Sequence, residues 1–182
     1  MFTGNYKGEI YGRELVGKVS MGQKNIALTL EELERQSVLK SRREGNLKHY
    51  RLNFDYTEIK DVIAMAELMK KVKFMAKQRK MAHIFKQDSR IVGIFGSYAK
   101  GTQKEYSDID IFIIGKKIKN DYGEKGKALD LEISAKYFAP PEWMKLLRER
   151  NSLCREIIGS HIIIFGVEGF ISSLWGNYYG LN

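Results

Sequence analysis

The sequence predicts an α+β chain of two domains, a helical segment with a β-hairpin followed by an α/β segment with a small mixed sheet. Within residues 1–55, two short amphipathic segments precede two basic segments in which polar and apolar residues alternate. Residues 91–182 alternate short apolar runs with amphipathic stretches, and the 56–87 stretch between has no Gly or Pro. We therefore expect domains at 1–55 and 91–182, joined by a basic linker helix at 56–90 that belongs mainly to the second domain.

Composition and charge narrow the class of protein. The chain has 182 residues, of which 43% are hydrophobic and 12% aromatic, enough to bury a core. No apolar run approaches the ~18 residues that span a membrane, and the N-terminus lacks a signal-peptide pattern. Cys154 is the single cysteine and has no histidine at ligand spacing, so we expect no disulfide and no zinc site. These features favour a cytoplasmic protein without a membrane partner.

The net charge of +9 is unevenly distributed. Residues 60–90 hold nine Lys and Arg against three Asp and Glu, which accounts for most of the excess. A basic balance fits a polyanionic partner such as nucleic acid.

Two short helices are predicted near the N-terminus. Gly12–Val19 has helical apolar spacing, and Gln23–Gln36 is a second amphipathic helix after the turn at 20–22. Two helices joined by a tight turn form a helix-turn-helix. The apolar residues of the second helix available for burial are Ile26, Leu28, Leu30 and Leu33.

A basic β-hairpin follows. Val38–Arg42 and Leu47–Asn53 alternate polar and apolar residues, and Glu44-Gly45-Asn46 between them is typical of a turn. The hairpin carries five basic residues, Lys40, Arg42, Arg43, Lys48 and Arg51.

Over about residues 9–54 this order resembles the winged-helix domains of transcription regulators of the MarR/ArsR type. The resemblance implies that the second helix enters the major groove of double-stranded DNA while the hairpin lies near the backbone or minor groove. The DNA-contacting residues implied are Gln23, Lys24, Asn25, Thr29, Arg42, Arg43 and Lys48. The alternative is a module that mediates dimerisation or holds a protein partner.

One feature departs from that family. A winged helix usually begins with an additional helix before Gly12, and the ten or so residues available there include Gly4 and Gly8. That first helix is therefore expected to be missing or very short. The linker helix or a second copy of the chain must then cover the apolar surface that this helix normally shields, so a homodimer is one expected arrangement.

The linker is expected to form one long helix or two joined ones, with Thr57 as the candidate N-cap. The predicted apolar stripe comprises Ile59, Val62, Ile63, Ala66, Met69, Val72, Met75 and Ala76. The positive charge comes from Lys60, Lys70, Lys71, Lys73, Lys77, Arg79 and Lys80. We interpret the stripe as a packing surface and the lysines as a solvated face, or alternatively as a site for a phosphate backbone or nucleotide.

The stretch from Ile91 to Gly115 holds the candidate active site. Ile91–Phe95 is a predicted buried strand that Gly96-Ser97 interrupts. Tyr98–Lys100 can begin a helix that Gly101 ends. Ser107-Asp108-Ile109-Asp110 then leads into a second apolar strand closed by Gly115.

The residue types in this stretch point to phosphate chemistry. Asp108 and Asp110 are two apart on a predicted strand and share a face, so their like charges repel unless a cation such as Mg²⁺ neutralises them. Gly96-Ser97 offers backbone N–H groups and a hydroxyl at a helix start, which suits phosphate. Together they are typical of phosphoryl or nucleotidyl transfer. The alternative is an ordinary strand–loop–strand with two surface aspartates.

The sequence GSYAKGTQKEYSDID resembles the signature of the minimal nucleotidyltransferases of the polymerase-beta-like superfamily. The resemblance implies that Asp108 and Asp110 bind Mg²⁺, with a two-metal site as one form, and that the Gly-Ser turn holds the triphosphate of an NTP. The nucleotide-binding residues implied are Gly96, Ser97, Lys100, Gly101 and Ser107. The family also implies a third carboxylate on a neighbouring strand.

Asp130 and Glu132 are the candidates for that third carboxylate. They are two apart on the predicted strand Ala128–Ser134, so we expect them to share a face. Either would complete the metal site and act as base for the incoming hydroxyl. We favour Asp130, because the family's third acid stands in a similar hydrophobic context. If both face solvent at an edge strand, the site would bind nucleotide without turnover.

The remaining elements are predicted more briefly. We expect a polar hairpin or loop at 116–127, helices at Glu142–Arg150 and Asn151–Ile158, a strand at Ile162–Phe165 and a closing helix at Gly169–Trp175. The aromatic residues expected in the core are Trp143, Phe165, Phe170 and Trp175.

The expected function is a DNA-binding transcription regulator with a Mg²⁺-dependent nucleotidyltransferase domain that transfers NMP from an NTP to an unknown acceptor. One alternative is a regulator that senses nucleotide without turnover. Another is a toxin–antitoxin component that modifies a tyrosine of a protein partner of the HEPN class.

Overall fold

The computed structural model describes residues 4–118 and 122–181, which form two compact units, Met1–Val62 and Ile63–Asn182. The division between the units lies inside the long helix that follows the hairpin. In the described part of the chain, none of the helices is both long and apolar enough to cross a bilayer.

The first unit contains a three-stranded antiparallel sheet with strand order β1-β3-β2. Its elements are β1 (Ile10–Tyr11), α1 (Gly12–Leu15), α2 (Gln23–Arg35), β2 (Leu39–Glu44) and β3 (Leu47–Leu52). The predicted hairpin is confirmed, with a two-residue turn in which Gly45 has a φ of 57°. The predicted second helix is also confirmed and ends one residue earlier than expected.

The first predicted helix is wrong in length. α1 stops at Leu15 because Gly17, with a φ of 81°, turns the chain away. Val16 and Val19 are 48% and 38% exposed instead of forming a helical face. On α2 only Ile26 and Leu30 are fully buried, and Leu28 is 54% exposed on the opposite side.

The linker forms two helices, α3 (Ile59–Lys77) and α4 (Arg79–Ile84), as one of the two predicted arrangements has it. The predicted apolar stripe is largely wrong. The buried positions of α3 are Ile59, Ile63, Glu67 and Phe74. Apolar residues on the other side, Met65, Leu68, Met69 and Val72, are 44–66% exposed. The side of α3 that carries Glu67 is buried, because the Glu67 carboxylate pairs with Lys70 and His161 in the second unit.

The second unit is built on a four-stranded mixed sheet with strand order β6-β5-β4-β7. The strands are β4 (Ile91–Ile94), β5 (Ile109–Ile114), β6 (Ile133–Phe138) and β7 (Ile162–Phe165). β5 and β6 run parallel, and the other two pairs are antiparallel. The predicted small mixed sheet is therefore confirmed.

Helices cover both faces of this sheet. The further helices are α5 (Gly96–Lys100), α6 (Tyr122–Lys127), α7 (Pro140–Arg148), α8 (Ser152–Gly159) and α9 (Val167–Asn177). Ile109, Ile111 and Ile113 pack with Phe74 and Ile84 on one face. On the other face Phe112 contacts Trp143 and Phe170, with ring centroids 6.1 Å and 5.6 Å away. Asp110 alternates in step with Phe112 and so lies on the face of α7 and α9.

Two sequence predictions after the motif are wrong. The strand predicted at Ala128–Ser134 begins only at Ile133, because Asp130 adopts a φ of 55° in a turn after α6. The polar loop predicted at 116–127 contains α6, although residues 119–121 lie outside the described part. Helices α7 and α9 also begin two residues earlier than predicted. Trp143, Phe170 and Trp175 are buried as expected, and Phe165 is half-buried.

Candidate active site

The Gly-Ser turn begins α5 at the end of β4. Gly96 has a φ of 68° and Gly101 one of 70°, so the five-residue helix starts and stops at left-handed glycines. The N-cap residue of α5 is Phe95, whose side chain makes no capping hydrogen bond. The Phe95 N–H donates to the backbone oxygen of Asp110 over 2.9 Å, which ties the start of α5 to the strand that carries Asp110.

Gly96 and Asp110 are in direct contact. A Cβ added at Gly96 would lie 2.4 Å from Oδ2 of Asp110, far inside van der Waals contact. Only glycine fits at this position, for this reason and for its positive φ. The close approach places a carboxylate beside the backbone at which the predicted phosphate turn begins.

The two aspartates differ in environment. Asp110 is half-buried and Asp108 is exposed. Burial raises the pKa of Asp110, and the negative charges of Asp108 and Glu156 raise it further, while Lys136 and Lys100 oppose the shift. A carboxylate destabilised in this way by burial and by like charge is one that a bound cation would stabilise.

Asp108 and Asp110 fit a magnesium ion, because Mg²⁺ takes oxygen ligands and is commonly held by one or two carboxylates plus substrate phosphates and water. Among residues 4–118 and 122–181, no set of three or more His, Cys, Asp or Glu is gathered closely enough to hold a metal by itself. Nucleotide phosphates and water are the further ligands that an ion held by these two carboxylates would take.

The two candidates for the third carboxylate occupy different places. Asp130 is exposed on the turn before β6. The backbone oxygen of Glu132 accepts a hydrogen bond from Ile109 N–H over 2.8 Å, and Ile109 pairs with Ile133. This register puts the backbone of Glu132 beside that of Asp108. The structure thus brings Glu132 to the edge where Asp108 lies and leaves Asp130 on a turn.

Two of the other predicted nucleotide-binding residues have partners of their own. Lys100 Nζ lies 3.2 Å from Oε1 of Glu156. Ser107 Oγ accepts a hydrogen bond from Lys104 N–H over 2.8 Å and thereby closes the loop before Asp108. Ser97 lies half-buried at the second position of α5.

Sequence reasoning missed Glu156 and Lys136, whose charges act on Asp110. Glu156 belongs to α8, which the topology brings to this face of the sheet. Lys136 lies on β6 in register with Phe112. Neither residue stands in a recognisable motif, and only the strand order and register reveal their proximity.

The predicted DNA-contacting residues all lie in the first unit. Gln23, Lys24 and Asn25 are exposed on the first turn of α2, and the hydroxyl of Thr29 donates to the Asn25 carbonyl over 2.8 Å. Arg43 is exposed on β2 and makes no ion pair with the described residues.

The other two predicted DNA contacts are engaged by acids. Arg42 pairs with Glu9 and Glu44 at 2.8 Å and 2.7 Å. Lys48 pairs with Glu34 at 2.6 Å. Intramolecular pairs thus compensate part of the hairpin's charge, and a sequence count of basic residues overstates its positive field.

Comparisons with known proteins bear on the second unit. Residues 77–166 match the model of a family described as "Nucleotidyltransferase domain". No curated protein matches the chain. A solved structure described as "Crystal structure of the toxin-antitoxin with AMP-PNP" is 20% identical over 61% of this chain and 88% of that chain. The TM-score between the two structures is 0.32.

The family match spans β4, the Gly-Ser turn, Asp108, the whole of β5 with Asp110, and the whole of β6. It therefore covers the contact between Gly96 and Asp110 and the charges that surround it. Residues 77–166, just under half of the chain, are therefore similar to a nucleotidyltransferase domain.

Proposed function

We propose that the chain is a Mg²⁺-dependent nucleotidyltransferase that moves NMP from an NTP to an acceptor hydroxyl and releases pyrophosphate. The observation that supports this most is the contact between Gly96 and the carboxylate of Asp110. It joins the two halves of the motif, a turn suited to phosphate and an acid suited to a metal, at one point.

Each group has a distinct role in the proposal. Asp108 and Asp110 hold Mg²⁺, in a one- or two-ion site, and the backbone of Gly96 and Ser97 holds the β- and γ-phosphates. Magnesium supplies neutralisation of phosphate charge when it is bound. Lys100 and Lys136, whose positive charges already act on Asp110, add to that neutralisation.

A base must accept the proton of the acceptor hydroxyl. The pairing of β5 with β6 favours Glu132 for this role, because it brings residue 132 beside Asp108. Asp130, which the sequence favoured, sits on a left-handed turn outside the strand.

The test is a transfer assay with the four NTPs, each labelled at the α-phosphate, with and without Mg²⁺. We expect Mg²⁺-dependent transfer of the α-label to an acceptor, with release of unlabelled pyrophosphate, and Asp108→Ala should abolish both. Nucleotide binding with no turnover would instead favour the sensing alternative. Labelling of a small helical protein that co-purifies with the chain would favour the toxin–antitoxin alternative.

We also propose that the first unit binds double-stranded DNA. The exposed polar side chains of Gln23, Lys24 and Asn25 on the first turn of the 13-residue α2 support this. So does Arg43, which is exposed and makes no ion pair with the described residues. Titration of duplex DNA at several salt concentrations tests it. We expect Arg43→Ala to weaken binding more than Arg42→Ala, since Arg42 already has two acidic partners. Equal losses, or no affinity in the wild type, would contradict the proposal.

Cytoplasmic location and a homodimer remain predictions. The exposed apolar residues of α3, Met65, Leu68, Met69 and Val72, offer a surface that a second copy could cover. Sedimentation analysis of wild type and Met69→Lys tests the homodimer, because a charge on this surface would disfavour its burial.

A further inference from the structure

An ion pair joins the end of α5 to α8 beside the candidate active site. Lys100 Nζ lies 3.2 Å from Oε1 of Glu156, although the two residues are 56 positions apart in the sequence. Both side chains are about half exposed. Exposed ion pairs contribute little to stability, because water and dissolved ions screen them. A phosphate group that approaches Lys100 can therefore replace Glu156 as its partner at little cost.

Glu156 is held in position without this pair. The side chain of Asn151 accepts a backbone hydrogen bond and so caps the start of α8. Cys154, Ile157 and Ile158 of the same helix are almost fully buried and anchor it in the core. The pair with Lys100 is therefore not needed to place α8 on the sheet.

The short helix α5 brings the pair to the candidate active site. Gly96 begins α5 and touches the Asp110 carboxylate, and Lys100 ends the helix about one turn further on. The charges of Lys100 and Glu156 accordingly act on Asp110. The lysine lowers the pKa of Asp110, and the glutamate raises it.

The charges around Asp110 do not balance. Besides Asp110 itself, they are the carboxylates of Asp108 and Glu156 and the ammonium groups of Lys100 and Lys136. When all are ionised, three negative and two positive charges leave a net charge of −1. Without Glu156 the remaining groups would sum to zero. Glu156 therefore makes this surface favourable for a cation and unfavourable for a free phosphate chain.

A nucleoside triphosphate can meet this surface with or without a divalent cation. Without one, the net negative charge opposes the phosphates, and Glu156 already engages Lys100. A cation held by Asp108 and Asp110 offsets the charge of the acids, so that the phosphates can take Lys100 from Glu156. The same glutamate thus disfavours metal-free nucleotide and favours the metal.

We propose that Glu156 makes nucleotide binding conditional on a bound divalent cation, by holding Lys100 and by adding a negative charge beside Asp110. The proposal rests on the nucleotide and metal site proposed above. Glu156 is a positioning residue in it, because it acts through Lys100 and through the charge at the aspartates. Such a residue keeps the site from filling with nucleotide that lacks the metal needed for transfer.

The experiment measures the affinity of a non-hydrolysable NTP analogue by calorimetry, once in Mg²⁺ and once in EDTA. The ratio of the two affinities is compared between wild type and Glu156→Gln. The matched control is Glu149→Gln, which removes the same charge from another exposed ion pair, with Lys145 at 3.9 Å. Titration with Mn²⁺ alone measures the cation site without nucleotide, and thermal unfolding reports any loss of structure.

Glu156→Gln should lower the ratio at least 5-fold, about the lower end of typical couplings between two ligands. The change should come from tighter binding in EDTA, and Mn²⁺ should bind this variant more weakly. Glu149→Gln should change both affinities less than 2-fold. An unchanged ratio in Glu156→Gln, or an equal change in the control, would overturn the proposal. So would weaker binding in both conditions together with a lower unfolding midpoint, which is the pattern of a structural role.

Lys100→Met tests whether Glu156 acts through the lysine. In that background Glu156→Gln should lower the ratio less than it does in wild type, because the part of the effect that depends on Lys100 is gone. The same decrease in both backgrounds would contradict the holding of Lys100 by Glu156.

Three outcomes separate this proposal from the proposed function. If the ratio falls as expected but no NTP is consumed, nucleotidyl transfer fails while the role of Glu156 stands. If wild type requires Mg²⁺ and transfers NMP while Glu156→Gln keeps the same ratio, the role of Glu156 is wrong and the transferase stands. If wild type binds no nucleotide in either condition, both proposals are overturned.

Discussion

Gly96 and Asp110 approach so closely that a single added methyl group would collide with the carboxylate at 2.4 Å. The backbone hydrogen bond from Phe95 to the Asp110 oxygen, 2.9 Å long, fixes this approach. The turn proposed to hold phosphate and the acid proposed to hold metal are therefore one rigid unit. Small changes at either residue should affect nucleotide binding and stability together.

Gly96→Ala should reduce transfer at least 100-fold, because displacement of Asp110 by about 1 Å is enough for a loss of that order. The positive φ of 68° should add a stability cost of about 2 kcal/mol. The matched control is Gly159→Ala, where a Cβ meets nothing within 4 Å. Transfer rates and thermal unfolding measure both effects. Normal transfer by Gly96→Ala would show that the contact is dispensable.

Asp110→Asn should stabilise the protein while it abolishes transfer. Burial and the charge of Asp108 raise the pKa of Asp110, so the folded state binds this proton more tightly than the unfolded state. The free energy of unfolding therefore falls as the pH rises from the ordinary carboxyl pKa through the raised value, and the full cost is present at neutral pH.

Thermal unfolding at pH 7 without Mg²⁺ measures the effect, with roughly 2–4 °C for each kcal/mol relieved. Asp108→Asn, at a more exposed position, should raise the midpoint less and lose transfer equally. Addition of Mg²⁺ with nucleotide should stabilise wild type but not Asp110→Asn. A lower midpoint for Asp110→Asn in the absence of Mg²⁺ would argue against an unneutralised acid at this position.

Glu132→Gln should lower the transfer rate at least 100-fold with nucleotide affinity little changed, as expected for loss of a base. Asp130→Asn is the matched comparison, since asparagine also tolerates the left-handed φ of 55°. We expect near-normal transfer from it. The reverse pattern would restore Asp130 to the role that the sequence first suggested.

Glu67 should contribute strongly to the stability of the second unit. Its side chain is fully buried, 2.7 Å from Lys70 Nζ and 3.5 Å from Nε2 of His161. Burial alone would raise the pKa of Glu67, but His161 and Lys70 lower it to about 2. The stabilisation from this carboxylate is therefore complete above its ordinary pKa and is lost as the pH falls towards about 2.

Glu67→Gln should cost about 3 kcal/mol at pH 7, because it leaves Lys70 without its buried counterion. Thermal or urea unfolding at pH 7 and near pH 3 measures this, and the difference from wild type should shrink at the lower pH. Glu105→Gln, in an exposed loop, is the control and should have no effect. A cost that stays constant with pH would indicate that packing, not charge, stabilises Glu67.

The sequence predicted the parts of the fold that local chemistry determines. The β-branched run before Gly96-Ser97 forms β4, and the run that begins within Ser107–Asp110 forms β5. Both strands were predictable because such runs have few alternatives to burial. The hairpin followed from its Gly45-Asn46 turn. These features depend on residues close together in the chain, so they can be recognised before the tertiary structure is known.

What the sequence could not predict depends on long-range contacts. The buried face of α3 contains Glu67, which pattern analysis assigns to solvent, because its partner His161 lies 94 positions away. The start of β6 was missed because Asp130 adopts a left-handed turn that an alternating pattern does not signal. The contribution of Glu156 to the charge around Asp110 exists only because α8 folds onto that face of the sheet.

Calorimetric titration of a non-hydrolysable NTP analogue, with and without Mg²⁺, tests the central claim most directly. Wild type should bind the analogue in a Mg²⁺-dependent manner. Asp108→Asn/Asp110→Asn should lose the Mg²⁺ dependence, and Gly96→Ala should lose most of the affinity. Tight binding that is independent of Mg²⁺ and unchanged in all these variants would place the nucleotide elsewhere and contradict the proposed active site.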